Sequence, residues 1–568
     1  MTAHSSGSPY DLRTIDMPCV AGAKLRLAIA LLDSPMRQFL IPRLLREAGV
    51  AWLRDQSFDD PPTIAPQHSS DAPQTNVAPV PQSEWPGPST GQEKGFHFAT
   101  VHDYARAYRE NTTSPDEVAE RVLQAIGESN EANPALRAVI AVNRDDVRRQ
   151  AAAATKRIRD GGALGIFDGV PVGVKDELDM LPYPTTAGTA FLGRQSASTD
   201  STVVARLRSA GALLIGKTNM HEIGIGVTGL NPHHGTARNP YAMDRHTGGS
   251  SSGSAAAVAA GLCPMAVGAD GGGSIRIPAA LCGVVGLKPT YGRVSEHGAV
   301  PLCWSVAHIG PIGATATDAA LGYAVMAGPD PKDPASLRQP LPFLAGWENT
   351  DLRGVTLGVF WPWFRHADEE VVAVCETMLS RLRERGAQVR EVALPDLEAA
   401  RVAHAVTICS EMAQAMSNTY AQHHREHGRD VRVNLRIARA LTALDYIQAQ
   451  RVRTRMLGHF LHAFASVDAI ITPATATIAP RIPEAALGTG VCDLSKVAEL
   501  MRFATPANLT GLPAISFPAG YTAEGLPVGL QAIGRAWEEP LLLRIALAAE
   551  SCNERKASKR HFTILPSR

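Results

Sequence analysis

The chain of 568 residues carries 55 Lys plus Arg against 55 Asp plus Glu, with 45% hydrophobic and 19% charged residues. That is enough apolar material for a large buried core and too little charge for a disordered chain. The balance of charge leaves no global field to gather nucleic acid, and the length fits one big domain or a few small ones.

The first twenty residues hold Asp11, Asp16 and scattered Ser, Pro and Gly where a secretory signal needs a basic start and an apolar run. The apolar stretch 27–32 falls far below the roughly 20 residues of a membrane span. Residues 22–53 predict two short helices broken at Ser34-Pro35. In the second, Leu40, Ile41, Leu44, Leu45 and Ala48 share one face, while Arg37, Arg43 and Arg46 lie elsewhere. Such a helix packs on the core or on a second subunit, with a peripheral membrane contact as the alternative. From Asp59 to Lys94 the chain is rich in Pro, Ser, Gln and Asp with almost no apolar periodicity, which reads as a linker or an extended strap. The expected division is therefore a helical extension over 1–58, a Pro-rich strap over 59–95 and a catalytic body over 96–568.

In the body, Ser114-Pro115-Asp116-Glu117 is a capping box with proline at the first helical position. It opens a helix carrying Val118, Val122 and Leu123. Helix and strand patterns then alternate: a helix over 145–159, a strand over 170–174, a helix over 201–209 stopped by Gly211, and a strand over 212–215. Further on come a helix over 368–385, a strand-like 388–394, a helix over 441–465 and the apolar run 469–471. The alternation predicts an α/β fold with a largely buried sheet. Between them, residues 247–293 are compositionally odd. The loops Gly248-Gly249-Ser250-Ser251-Ser252-Gly253-Ser254 and Gly268-Ala269-Asp270-Gly271-Gly272-Gly273-Ser274-Ile275-Arg276 are joined by a helix-like 255–260 and a strand-like 265–267.

Two motifs mislead. Gly211 to Thr218 matches the phosphate-loop expression G-x-x-x-x-G-K-T, but a helix precedes it and 212–215 is itself a buried strand, so nucleotide binding is rejected. Gly249 to Gly253 matches G-x-S-x-G, which would make Ser251 the nucleophile of an elbow, yet Met243 to Thr247 is a poor strand and the elbow needs one. The eight cysteines and the histidines show neither C-x-x-C nor H-E-x-x-H spacing, so no metal site is expected and the thiols read as reduced and intracellular.

Cleaving an amide takes a nucleophile, an acid for the poor amine leaving group and donors for the oxyanion. The three glycines before Ser274 carry no side chains, so the amides of Gly271, Gly272 and Gly273 can converge beside that serine's oxygen. Here the sequence resembles the amidase signature family, which keeps a Gly/Ser-rich loop and a second Gly-Gly-Ser loop about 24 residues on. Ser250 to Ser274 spans 24 residues, and Lys175 lies 75 residues before Ser250 in Val172-Gly173-Val174-Lys175-Asp176, where that family keeps its lysine.

The resemblance implies the amidase signature fold, a large mixed sheet covered by helices on both faces, and a Ser-Ser-Lys triad without cofactor. By that match Ser274 attacks, Ser250 relays a proton after a cis peptide from Gly249, and Lys175 is the terminal base and acid. Its amine must be uncharged to accept a proton, which burial favours, and residues 171–174 before it are apolar. Asp270 and Arg276 are expected to brace the nucleophile loop by an ion pair, with Ser251 supporting. The sequence departs from the common pattern at Ala269, at Gly271 and in the S-S-S-G-S of the first loop, which bears on loop stiffness and removes no triad member.

The likeness runs over about 96–550. The stretches 101–109, 219–241, 268–293 and 501–534, with Pro42-Arg43-Leu44-Leu45 ahead of them, look most like plant-type fatty acid amide hydrolases. This implies N-acylethanolamines or related long-chain acyl amides as substrates, a homodimer, and a cytoplasmic or membrane-associated enzyme. Residues after 395, among them Met412, Met416, Met456 and Met501, supply either an acyl channel or plain core. The alternatives are an amidase for short or aryl amides, the amidase component of a tRNA-dependent amidotransferase, and a binding or scaffold protein that kept the fold.

Overall fold

The structure, a computed structural model, describes residues 10–68, 85–87 and 94–565. Eleven strands form the main sheet: β1 (Val139–Ala141), β2 (Pro171–Lys175), β3 (Leu213–Thr218), β4 (Met265–Ala269), β5 (Val285–Lys288), β6 (Ile309–Gly313), β7 (Thr356–Val359), β8 (Gln388–Glu391), β9 (Ala469–Pro473), β10 (Ala514–Tyr521) and β11 (Pro527–Gly534). Their spatial order is β8-β7-β9-β11-β10-β5-β6-β4-β2-β3-β1. Pairs β2/β3, β2/β4, β7/β8 and β7/β9 are parallel and the rest antiparallel, so the sheet is mixed.

Strand alternation divides the core in two. Ala469 and Ile471 of β9 belong to one apolar cluster and Ile470 to another; on β10, Ile515 and Phe517 go with the first and Ala514 with the second. Successive strand residues point to opposite faces, so each face of the sheet carries its own core. The first is covered by helices including Pro115–Glu131, Ala316–Met326, Glu369–Glu384 and Glu539–Cys552, the second by Leu397–Ala415 and Ala443–Phe464. The cap read at Ser114 forms, its hydroxyl accepting from Glu117 N–H at 3.3 Å.

The N-terminal extension makes three helices, Gly22–Leu32, Arg37–Glu47 and Val50–Arg54, where the sequence predicts two; Gly49 at φ +91° separates the last two. One apolar face of these helices packs on the body of the same chain. Leu25, Ile29 and Leu32 pack against Val433, and Leu45, Val50 and Leu53 join the second core. Of the predicted strap, 69–84 and 88–93 lie outside the described residues. The described part runs along the helix Ala443–Phe464, where Arg455 Nε pairs with Asp60 at 2.8 Å and Thr63 N–H donates to Gln450 O at 3.2 Å. Among the described residues, no helix is long and apolar enough to cross a membrane.

Candidate active site

Topology brings the two chemical segments together. Strands β2 and β4 are adjacent and parallel, with Val174 opposite Val267, so Lys175 at the end of β2 and the loop Asp270 to Ser274 after β4 emerge at the same carboxyl edge. Ligands of α/β sheets bind outside such ends. Ser250 comes from the loop before the helix Ser252–Ala259, and its peptide bond with Gly249 is cis, as the resemblance implies. The two loops are tied by Ser251 N–H donating to Ser274 O at 3.2 Å, and His221 N–H holds Ser250 O at 3.0 Å.

Lys175, Ser250 and Ser274 are all buried, Lys175 to 1% exposure. Lys175 Nζ donates to Ser250 Oγ at 2.9 Å and to Ala269 O at 3.2 Å. It also meets Glu177 Oε2 at 2.7 Å, a partner the sequence reading missed although the residue lies two positions away. No hydrogen bond among the described residues joins Ser250 Oγ to Ser274 Oγ.

The nucleophile loop is built around Asp270. Its Oδ1 accepts from Gly273 N at 2.6 Å, Asn508 Nδ2 at 2.9 Å and Arg276 Nη2 at 3.1 Å. Its Oδ2 accepts from Arg276 Nε at 3.0 Å, Ile275 N at 3.1 Å and Arg276 N at 3.4 Å. Burial alone would raise this carboxyl; Arg276 and the surrounding donors hold it far below the usual carboxylate range. The expected Asp270–Arg276 pair is present, and Arg276 reaches further, to Gln531 Oε1 at 2.6 Å and Asn508 Oδ1 at 2.5 Å. Of the three glycine amides, that of Gly273 is committed to Asp270, and its φ of +112° suits glycine. The N–H groups of Gly271, Gly272 and Ser274 donate to no acceptor among the described residues.

His404, which no motif marked, donates from Nε2 to Gly271 O at 2.7 Å. Burial pulls it down to about 4, so the ring is neutral and its proton stays on Nε2 at neutral pH. Ser251 Oγ donates to Ala269 O at 3.1 Å and accepts from Ala269 N at 3.2 Å, an internal brace that turns it away from an elbow nucleophile's role. The segment before it is a strand after all, Ala242–His246, a correction to the sequence reading; it pairs in a separate two-stranded hairpin with Arg238–Asn239. In the phosphate-loop mimic, Gly216, Lys217 and Thr218 lie inside β3, and the buried Lys217 Nζ donates to Leu178 O at 2.7 Å.

A buried lysine, a serine in its hydrogen-bond reach and a second serine beside free backbone donors define the equipment of a serine amide hydrolase. The Amidase family profile matches residues 120–543, and the chain belongs to the amidase signature family of amide hydrolases. It is 39% identical to a fatty acid amide hydrolase of Medicago truncatula over 97% of this chain and 95% of that protein. It is 35% identical to a glutamyl-tRNA(Gln) amidotransferase subunit of Coxiella burnetii over 79% of this chain and 96% of that one. Among solved structures, native peptide amidase from Stenotrophomonas maltophilia is similar with a TM-score of 0.71 at 30% identity, covering 82% of this chain and 98% of that one.

Proposed function

We propose that this amidase hydrolyses long-chain fatty acid amides, N-acylethanolamines among them, through a Ser274 acyl-enzyme and a Ser-Ser-Lys relay. The observation that carries the relay is the Lys175–Ser250 hydrogen bond at 2.9 Å inside a buried site. Ser274 Oγ attacks the carbonyl carbon while its proton passes to Ser250 and that of Ser250 to Lys175. Gly271 and Gly272 amides receive the oxyanion. On collapse the proton returns through Ser250 to the departing nitrogen, and water repeats the sequence on the ester. The Ser274–Ser250 contact closes when a carbonyl occupies the site, a tightening common to catalytic hydrogen bonds.

The acyl preference rests on an apolar cluster beside the relay. A side chain atom at Gly224 would stand 3.5 Å from Ser250 Oγ, 3.6 Å from Leu302 Cδ1 and 3.8 Å from Met412 Cε. Leu302 and Met412 belong with Ile223, Val306 and Met416 to one buried cluster, a wall fit for a hydrocarbon chain. Met456 instead lies in the second core. The Medicago protein matches over 97% of this chain, which takes in most of the N-terminal extension, against 79% for the Coxiella amidotransferase component. The outer side of that extension leaves Leu27, Met36 and Phe39 exposed, the surface from which a lipid layer or a second copy would be met.

The test is acid release, followed by mass spectrometry, from N-acylethanolamines graded from acetyl to palmitoyl with the purified chain alone. Rates rising with chain length are expected. Hydrolysis confined to short amides would overturn the fatty-acyl reading, and activity only with an added tRNA-dependent partner would favour the amidotransferase alternative.

A further inference from the structure

The relay makes one demand that its three residues do not meet by themselves: the amine must offer Ser250 a lone pair. Lys175 Nζ stands within reach of three acceptors, Ser250 Oγ at 2.9 Å, Ala269 O at 3.2 Å and Glu177 Oε2 at 2.7 Å. Two N–H donors of the amine go to Ser250 and Ala269 and the ion pair with Glu177 holds its charge, so the ammonium has no lone pair with which to take the Ser250 proton. A backbone carbonyl cannot hold a proton in exchange; a carboxylate can. The Lys175 and Glu177 side chains are only 1% and 8% exposed, so solvent is a poor alternative carrier. Val300 N–H donates to Glu177 O at 2.9 Å and fixes the backbone that aims this carboxylate.

We propose that Glu177 is a positioning residue that takes and returns a proton of Lys175, so that the working base is the Lys175–Glu177 pair. The inference rests on the Ser-Ser-Lys reading above. At rest an ammonium faces a carboxylate. During attack an N–H bond of Lys175 breaks and an O–H bond forms on Glu177 Oε2, which frees the nitrogen lone pair. The O–H bond of Ser250 breaks toward that lone pair, and the proton of Ser274 moves to Ser250 as Ser274 Oγ bonds the carbonyl carbon. The pair then holds one proton more than at rest. When the C–N bond breaks, that proton travels back through Ser250 to the leaving nitrogen, and Glu177 returns its own to Lys175.

The other titratable groups around the pair come from separate elements. Burial raises Glu296, with Asp333, Glu177 and Glu411 adding to it; burial also raises Glu411 and the Cys303 thiol. Burial lowers His221 to about 4. None of these four makes a hydrogen bond or ion pair to Nζ among the described residues, so Glu177 is the carboxylate in position to exchange a proton with it.

The experiment is the pH dependence of kcat/KM on N-lauroylethanolamine for the wild-type chain and Glu177→Gln, with Ser274→Ala as control and fluorophosphonate labelling and melting temperature measured in parallel. Glutamine keeps the shape and still accepts an N–H, but it cannot store a proton. In the wild type the ammonium–carboxylate pair already has the proton count of the active amine–acid pair. In Glu177→Gln the amine must first lose a proton to solvent, so the acid limb moves up by about one pH unit or more. We expect kcat at neutral pH to fall about 100-fold, with KM within about threefold and melting unchanged. A merely structural Glu177 would lower the rate evenly across pH, and an unmoved acid limb overturns the proposal while leaving the triad standing. If Ser274→Ala still turns over or still takes the label at that position, the triad reading falls and this inference with it. Should Glu177→Gln not fold, Glu177→Asp is read instead: a carboxylate one carbon short must keep the acid limb and lower kcat at least about fivefold, and an unchanged kcat overturns the proposal.

Discussion

Replacing Asp270 by Asn tests whether the nucleophile loop is organised by one carboxylate. Each oxygen of Asp270 accepts three hydrogen bonds, Gly273 N, Asn508 Nδ2 and Arg276 Nη2 on one and Ile275 N, Arg276 N and Arg276 Nε on the other. In whichever orientation the amide settles, its NH2 faces three donors and those three bonds are lost. Hydrogen bonds to a charged group are worth about 1.5 kcal/mol each at the low end, which places the loss near 4 to 5 kcal/mol. Breaking a buried ion pair by removing one partner costs about 3–5 kcal/mol, in agreement, because Arg276 at 0% exposure is left without its counter-charge. The loop also shifts: depending on the amide's orientation, either Gly273 N–H or the N–H groups of Ile275 and Arg276 lose their anchor, and a displacement of about 1 Å in catalytic donors costs about 100-fold in rate. Urea unfolding read by tryptophan fluorescence measures the first effect, and kcat on a long-chain amide the second. A variant within about 1 kcal/mol of wild type and within about threefold in kcat would show that the loop holds its shape without Asp270, and the reasoning would be wrong.

Ser274→Ala is expected to abolish turnover and Lys175→Ala to lose most of it and flatten its pH dependence, whereas Ser251→Ala retains a measurable rate because its hydroxyl only braces Ala269; steady-state kinetics of the three variants checks this. Gly272→Ala places a Cβ 2.8 Å from both His404 Cε1 and Met501 Cε, so kcat falls at least about tenfold with little change in KM, read in the same assay. Met412→Trp fills the apolar wall near Ser250 and should raise KM for the palmitoyl amide at least about tenfold over that for the acetyl amide. Burial pushes the Glu222 carboxyl up, but hydrogen bonds from His233 at 3.0 Å and His427 at 2.5 Å hold it at about 2. A depressed carboxyl contributes stability above its unfolded value of about 4.3 that is lost as pH falls toward the folded value, here on the order of 3 kcal/mol. Glu222→Gln should therefore be less stable at neutral pH and lose less stability between pH 5 and pH 2, measured by unfolding midpoints across that range.

Much of the site was legible because its residues come in two dense loops whose composition is peculiar. Glycines next to Ser274 and Ser250, a lysine ending an apolar strand and the flanking Asp270 and Arg276 are all visible as local pattern, and the structure puts each on the same carboxyl edge of β2 and β4. What escaped came from two sources. Asn508 and Gln531 reach Arg276 from more than 200 residues away, and His404 reaches Gly271 from 133, distances at which no spacing rule operates. The order of the sheet was hidden likewise, since β5 pairs not only with its sequence neighbour β6 but with the far later β10, at Leu287 opposite Ile515.

Glu177 escaped for a different reason. It stood two residues from Lys175 in plain view, but a sequence presents Asp176 and Glu177 as equivalent acids, and only the turn after β2 separates their roles. Asp176 goes to Lys217 at 3.1 Å and Glu177 to Lys175 at 2.7 Å. Residue type alone argued for a lone desolvated amine as the base, because burial favours the neutral form of lysine. The geometry adds a carboxylate at hydrogen-bond distance, and a carboxylate favours the ammonium unless it can itself accept the proton. A catalyst needs both charge states of the amine within one cycle. A pair that trades a proton internally passes between them without drawing on solvent, which is the reason for placing the function on two side chains where the motif names one.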